Sequence, residues 1–390
     1  MAATPLEHVD VYTSGNDGYK TYRIPAVEAA PDGSLLAFAE ARKYGGSDPG
    51  MGKQDIDLVL KRSTDNGRTW SPMTIIEDPG ELWSAANPAT VVDWQNGRVW
   101  LLYLRSKPER STATSRPGTD DMQTLARHSD DNGLTWSDPL DLTKVARDYS
   151  DPAWQASVVG PGGAVQTRSG RLVAPVWKVK PYAVLAIFSD DHGQTWQRGS
   201  LMPGNQGGNE DQIVELADGR LLLDVRQNDG PNRLLATSTD AGQTWSEPRP
   251  GVSVAPVACA VERLTLQSAG DDRDRILWTG PKGPGRKTLV ARLSYDEGQT
   301  FTHERLIADE PAAYPTSRCS RTKPPESSGS GPTTASSPSP PAHRVPRTQG
   351  ALTRRTVSVA EDQIALERPD RTPLPYADES GDWLRNISCP

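Results

Sequence analysis

The octapeptide SDDHGQTW at 189–196 decides the fold, because four more versions of it stand along the chain: STDNGRTW at 63–70, SDDNGLTW at 129–136, STDAGQTW at 238–245 and, more loosely, SYDEGQTF at 294–301. All five share Ser, Asp, Gly and Thr at fixed positions and end in an aromatic. The aspartate can accept backbone N–H bonds within a turn, the glycine supplies a positive φ, and the terminal aromatic is suited to burial. Such a unit staples a β-hairpin. Successive copies lie 66, 60, 49 and 56 residues apart, which suits one blade of four short strands per copy, a propeller blade taking roughly 40–50 residues before loops are added.

The segments between the repeats read as strands: DLVLKRS, RVWLLYLRS, GRLVAPVW, YAVLAIFS and GRLLLDVR. Turn pairs precede several of them, at Asp32-Gly33, Asn96-Gly97, Ser169-Gly170 and Asp218-Gly219. No long helical periodicity competes, so the expected class is all-β. The repeats themselves are structural, and the chemistry has to come from other residues.

The chain has 390 residues, 35% of them hydrophobic and 24% charged, with a formal net charge of −7. That is enough chain to bury a substantial core, and an acidic average argues against nucleic acid or a membrane surface as partner. No apolar stretch is long enough to span a bilayer. The opening MAATPLEHVDVYTS lacks the basic and then apolar segments of a secretory signal, so a cytoplasmic location is expected. Cys259, Cys319 and Cys389 form neither a disulfide framework nor a zinc-type pair, and Cys259 in VACAVERL reads as a buried strand thiol. The five histidines are scattered, so no metal site is expected.

Tyr22-Arg23-Ile24-Pro25 matches the YRIP/FRIP signature of sialidases, and together with the downstream Asp-boxes the chain resembles that family over residues 5 to 314. The resemblance implies a six-bladed β-propeller, with Arg23 as a substrate arginine. In FAEARKYGGSD it makes Arg42 a contact to the sugar's ring substituents and Asp48 the acid/base catalyst, with Asp55 and Asp57 close enough to compete. Asn87 in ANPATVVD stands where sialidases carry a substrate-contacting Asn or Asp. In NEDQIVELADGRLLLDVR, Glu210 and Arg226 flank the hairpin turned at Asp218-Gly219, so both can face one end of the propeller. The resemblance makes them the catalytic Glu and the second arginine, with Glu215 as the competing carboxylate. Arg286, rather than Arg292, fits the third arginine. Tyr314 in EPAAYPTS resembles the family's nucleophilic tyrosine.

These residue types suit a sialoside, whose anomeric carbon carries a carboxylate. Arginine binds carboxylate through a planar fork and stays charged at any working pH. A neutral tyrosine can attack beside that carboxylate where an Asp or Glu would be repelled, and tyrosine nucleophiles are a recognised exception to the two-carboxylate rule. The implied partners are sialylated glycans or glycolipids, the implied outcome is hydrolysis with retention, and no metal or organic cofactor is required. Trp177 in APVWKV is a candidate wall for the sugar, with core packing as the alternative.

After Tyr314 the composition changes to RCSRTKPPESSGSGPTTASSPSPPAHRVPRTQG, which reads as a disordered Pro/Ser-rich tail. The expected organisation is therefore a catalytic propeller over 1–314 with an incomplete last blade, and a tail over 315–390. A shift of reading frame near codon 315 accounts for the break, since one back-translation read in the offset frame gives the strand-like DLEVLEDETAGVLWEW. A disrupted C-terminus leaves two further readings open: a sialic-acid-binding propeller with weak or no turnover, and another Asp-box glycosidase.

Overall fold

The computed structural model describes residues 8–204, 207–319, 355–361 and 382–388. Their strands form six antiparallel meanders of the propeller kind. Blade 1 comprises Thr21–Ala29, Leu35–Arg42, Ile56–Ser63 and Thr74–Glu77; blade 2 comprises Ser84–Asp93, Arg98–Ser106, Met122–Ser129 and Leu140–Asp141. Blade 3 runs through Ala156–Val159, Leu172–Val179, Ala183–Ser189 and Gln197–Arg198. Blade 4 runs through Gly208–Glu215, Leu221–Gln227, Asn232–Ser238 and Arg249–Ser253, and blade 5 through Ala260–Thr265, Arg275–Pro281, Lys287–Ser294 and His303–Pro311. In the sixth sheet Ala313–Cys319 pairs with Arg355–Glu361, that strand with Asp382–Ser388, and the last with His8–Val9. The first strand of blade 6 adjoins the first strand of blade 1.

Burial explains which strands lie inside. Leu35–Arg42, Ser84–Asp93 and Leu172–Val179 are buried along their whole length, because blades pack against both of their faces, whereas the outer strand Arg249–Ser253 is largely exposed. The core is accordingly a series of apolar layers between neighbouring blades. Phe38, Leu58 and Leu60 meet Val99, Leu101 and Tyr103 between blades 1 and 2. Val158, Val173 and Phe188 meet Ile213, Leu223 and Val225 between blades 3 and 4. Each such side chain contributes about 1.5–3 kcal/mol on full burial.

The five repeats adopt one geometry at the end of the third strand of blades 1 to 5. In the third copy Ser189 Oγ donates to Asp191 Oδ1 at 2.8 Å, Thr195 N donates to the same oxygen at 2.8 Å, and Gly193 N donates to Ser189 Oγ at 2.8 Å. Gly193 has φ 84°, and the Trp196 indole donates to its carbonyl at 3.1 Å. The other four copies repeat the Ser–Asp and Thr–Asp bonds.

The sixth sheet extends beyond residue 314, the boundary expected for the propeller. The strand carrying Tyr314 runs on to Cys319, and two more strands come from the segment set aside as tail. Arg355–Glu361 reads RTVSVAE, whose β-branched Thr356, Val357 and Val359 favour an extended chain; the Pro/Ser-rich composition masked it. The remainder of the tail assignment, including the run 320–354, lies outside the described residues. Cys259 is buried as expected, and burial pushes its thiol up to about 12.

Candidate active site

The first strands of blades 1, 2, 4 and 6 each lose register near their start, at Arg23/Ala26, Ala86/Ala89, Gly208/Asp211 and Ala313/Thr316. Bulges of this kind re-aim side chains, and they cluster near active sites. At three of the four the residue before a proline sits at positive φ: Ile24 at 49°, Asn87 at 54° and Tyr314 at 49°. That conformation is disfavoured before proline and is an outlier for a branched side chain, so surrounding structure must hold it. Arg23, Asn87, Glu210 and Tyr314 all lie on these four bulged segments.

Tyr314, Glu210 and Arg226 form one hydrogen-bonded group. The Tyr314 hydroxyl donates to Glu210 Oε1 at 2.8 Å, Arg226 Nη1 approaches the same hydroxyl at 3.2 Å, and Arg226 Nη1 also pairs with Glu210 Oε2. Burial works against the Arg226 charge, but Glu210 and Tyr314 more than offset it and hold the guanidinium firmly protonated. The Arg23 and Arg286 guanidinium carbons each lie 5.8 Å from the Tyr314 ring centroid, within cation–π range. Arg286 is exposed and donates to Pro256 O at 3.0 Å. Three arginines from blades 1, 4 and 5 therefore converge on one phenol of blade 6. The competing residues are engaged elsewhere: Arg292 pairs with Glu304 at 3.0 Å, and Glu215 accepts from Arg168 N at 2.9 Å.

Asp48 lies on the loop between the second and third strands of blade 1, with its side chain 62% exposed. Its Oδ1 accepts from Arg23 Nη1 at 2.9 Å and lies 3.4 Å from Arg42 Nη1. Asp55 and Asp57 are buried instead: Lys43 Nζ lies 2.8 Å from Asp55 Oδ1, and the Tyr19 hydroxyl donates to Asp57 at 2.5 Å. The structure thus groups Asp48, and neither competitor, with Arg23 and Arg42.

Glu40 was missed in the sequence. Fully buried, it accepts from Arg42 Nη2 at 2.5 Å and Nε at 3.0 Å through Oε2, and from Asn87 N at 2.8 Å through Oε1. One carboxylate so orients both expected sugar contacts; burial raises its pKa against the pull of Arg42. The alternation in FAEAR carried the signal, since Glu40 and Arg42 two residues apart share a strand face. Asn87 Nδ2 donates to Val159 O at 3.3 Å, tying it to blade 3. Trp177, 6% exposed, packs in the core between blades 3 and 4, its ring edge-on to Tyr182 at 5.6 Å. Among the described residues no three His, Cys, Asp or Glu side chains are gathered for a metal.

Residues 33–323 match the family described as BNR repeat-like domain. The sialidase of Micromonospora viridifaciens is 30% identical over 79% of this chain and 49% of its own length. The sialidase of Bacteroides fragilis is 28% identical over 78% of this chain and 59% of its own. The solved structure of Hadza microbial sialidase Hz136 superposes with a TM-score of 0.71 at 27% identity, covering 79% of this chain and 62% of that one. The chain spans less than two thirds of the length of each of these three proteins.

Proposed function

Since the chain belongs to the BNR-repeat sialidase family, we propose that it hydrolyses terminal α-linked sialic acid from glycoconjugates with retention of configuration. The observation that carries the reading is the Tyr314 hydroxyl, 2.8 Å from Glu210 and 3.2 Å from Arg226, with Arg23 and Arg286 over the same ring. Three guanidinium groups around one phenol suit a substrate whose carboxylate sits on the reacting carbon.

In the first step the Tyr314 oxygen bonds to the anomeric carbon while the glycosidic C–O bond breaks. The phenol proton passes to Glu210, and Asp48 delivers its own to the departing oxygen. In the second step Asp48 takes a proton from water, whose oxygen attacks the anomeric carbon, and Tyr314 leaves and recovers its proton from Glu210. Two displacements restore the starting configuration. A tyrosine's ordinary pKa is about 10, so the Glu210 acceptor and the arginine field supply the activation this oxygen needs. Arg42 and Asn87, both held by Glu40, are assigned to the sugar's ring substituents.

Fluorescence release from a 4-methylumbelliferyl sialoside tests the proposal. The native chain is expected to turn the substrate over, and Tyr314→Phe to lower kcat by about a thousandfold or more while the sugar still binds. Absence of turnover in the native chain would instead favour a sialic-acid-binding propeller.

A further inference from the structure

Arg318 stands four residues beyond Tyr314 on the same strand, in the part of the chain whose composition suggested no fold. Its side chain is only 11% exposed. Nε donates to both Glu28 oxygens at 3.1 and 3.2 Å, Nη1 to Glu262 Oε2 at 2.8 Å, and Nη2 to Thr90 O at 2.8 Å and Ala164 O at 3.1 Å. Those acceptors belong to the first strands of blades 1, 5 and 2 and to the segment leading through blade 3. One guanidinium therefore joins the last blade to four others where the innermost strands converge. A Cβ at Gly163 would lie 2.5 Å from Arg318 Nη2, so the space is closed on that side.

We propose that Arg318 is a positioning residue for Tyr314: by tying its strand to four other blades, it sets the height of the tyrosine hydroxyl against Glu210. The inference rests on the sialidase reading above. Tyr314 sits on a bulge at φ 49° ahead of Pro315, a strained conformation that needs an anchor nearby. Below the bulge the strand is regular, and Ser317 Oγ lies 3.0 Å from Thr279 Oγ1 of blade 5. A slip of one residue moves a strand by about 3.3 Å, which would separate the hydroxyl from Glu210. The five bonds point to different blades, so they resist sliding and rotation together, as a single ion pair would not.

The test uses the full chain with Arg318→Met and Arg318→Lys, measuring kcat and KM on the 4-methylumbelliferyl sialoside and hydrogen–deuterium exchange over 313–319. Expected for Arg318→Met is a kcat at least about tenfold lower, a KM within about twofold, and faster exchange in 313–319 with 208–215 unchanged. Arg318→Lys, which keeps the charge but not the fork, should fall between Met and native. A folded Arg318→Met with native kcat and native exchange overturns the proposal, as does a fall in kcat matched by equal loosening of every blade. Should Arg318→Met fail to fold, Arg318→Lys decides: reduced kcat with native KM supports the role, and native kcat, or loss of the fold here too, overturns it. Were the native chain inactive, the sialidase reading would fall, and exchange confined to 313–319 would still judge the anchor alone.

Discussion

The two ends of the propeller are built on opposite principles. In a meander the first and third strands run the same way, so the Asp-boxes, at the ends of third strands, lie opposite the bulged starts of the first strands. At the Asp-box end the bonds join residues two to four apart, as in Ser129 to Asp131 and Thr135 to Asp131. At the other end Glu210 meets Arg226 across 16 residues and Tyr314 across 104. A local device can be copied along the chain and works alike each time. The site is made of single residues that acquire meaning only when the ring brings them together. The first end should therefore govern stability, and the second rate.

The largest expected effect is at the site end. Glu210→Gln removes the acceptor of the Tyr314 proton and is expected to lower kcat by about 10²–10⁴-fold, with an unchanged far-UV circular dichroism spectrum. A loss of fold with this change would break the separation. At the opposite end, Asp240→Ala removes bonds from Ser238 Oγ, Thr244 N and Thr244 Oγ1. Urea unfolding should then show a loss of about 1–3 kcal/mol, the scale of hydrogen bonds to a charged group, while kcat of the folded fraction stays within about twofold.

The smallest effect is the response to acid. Hydrogen bonds from their own box threonines and serines lower the Asp65 and Asp131 carboxyls to about 2. A carboxyl lowered by folding stabilises the fold above its unfolded pKa, and that contribution fades as pH falls through the folded value. Buried Glu40 is raised, so its ionisation weakens the fold, and that penalty is relieved as pH falls through its folded value. Melting temperatures of the native chain and Asp131→Asn, compared between pH 6 and pH 2, should converge toward the acid end. A constant gap would mean the box carboxylate contributes nothing through its charge.

The same contrast explains what could be read in advance. The repeat disclosed the blades because its geometry is short-range and recurs; in the first and third copies the tryptophan indole also returns to the glycine carbonyl. Arg23, Glu210, Arg226, Arg286 and Tyr314 were picked out by motif and spacing, and the fold gathers them around one phenol. Glu40 was legible from strand alternation and was passed over. The dipeptides Ile24-Pro25, Asn87-Pro88 and Tyr314-Pro315 each fall at a bulge, one of the few interior strand positions where proline is accommodated. Arg318 left no trace, because its partners lie on four blades and its neighbourhood looked like linker. The strand at 355–361 was hidden by composition averaged over too long a window.

If Tyr314 attacks the anomeric carbon, the bond it forms can be trapped. The native chain would be incubated with a 2,3-difluorinated sialic acid, whose fluorine at C3 slows the second step, and then measured by intact mass and peptide mapping. A single sialosyl adduct is expected on the peptide containing Tyr314, absent from Tyr314→Phe. An adduct on Glu210 or Asp48, or turnover of the sialoside with no adduct at all, would contradict attack by Tyr314.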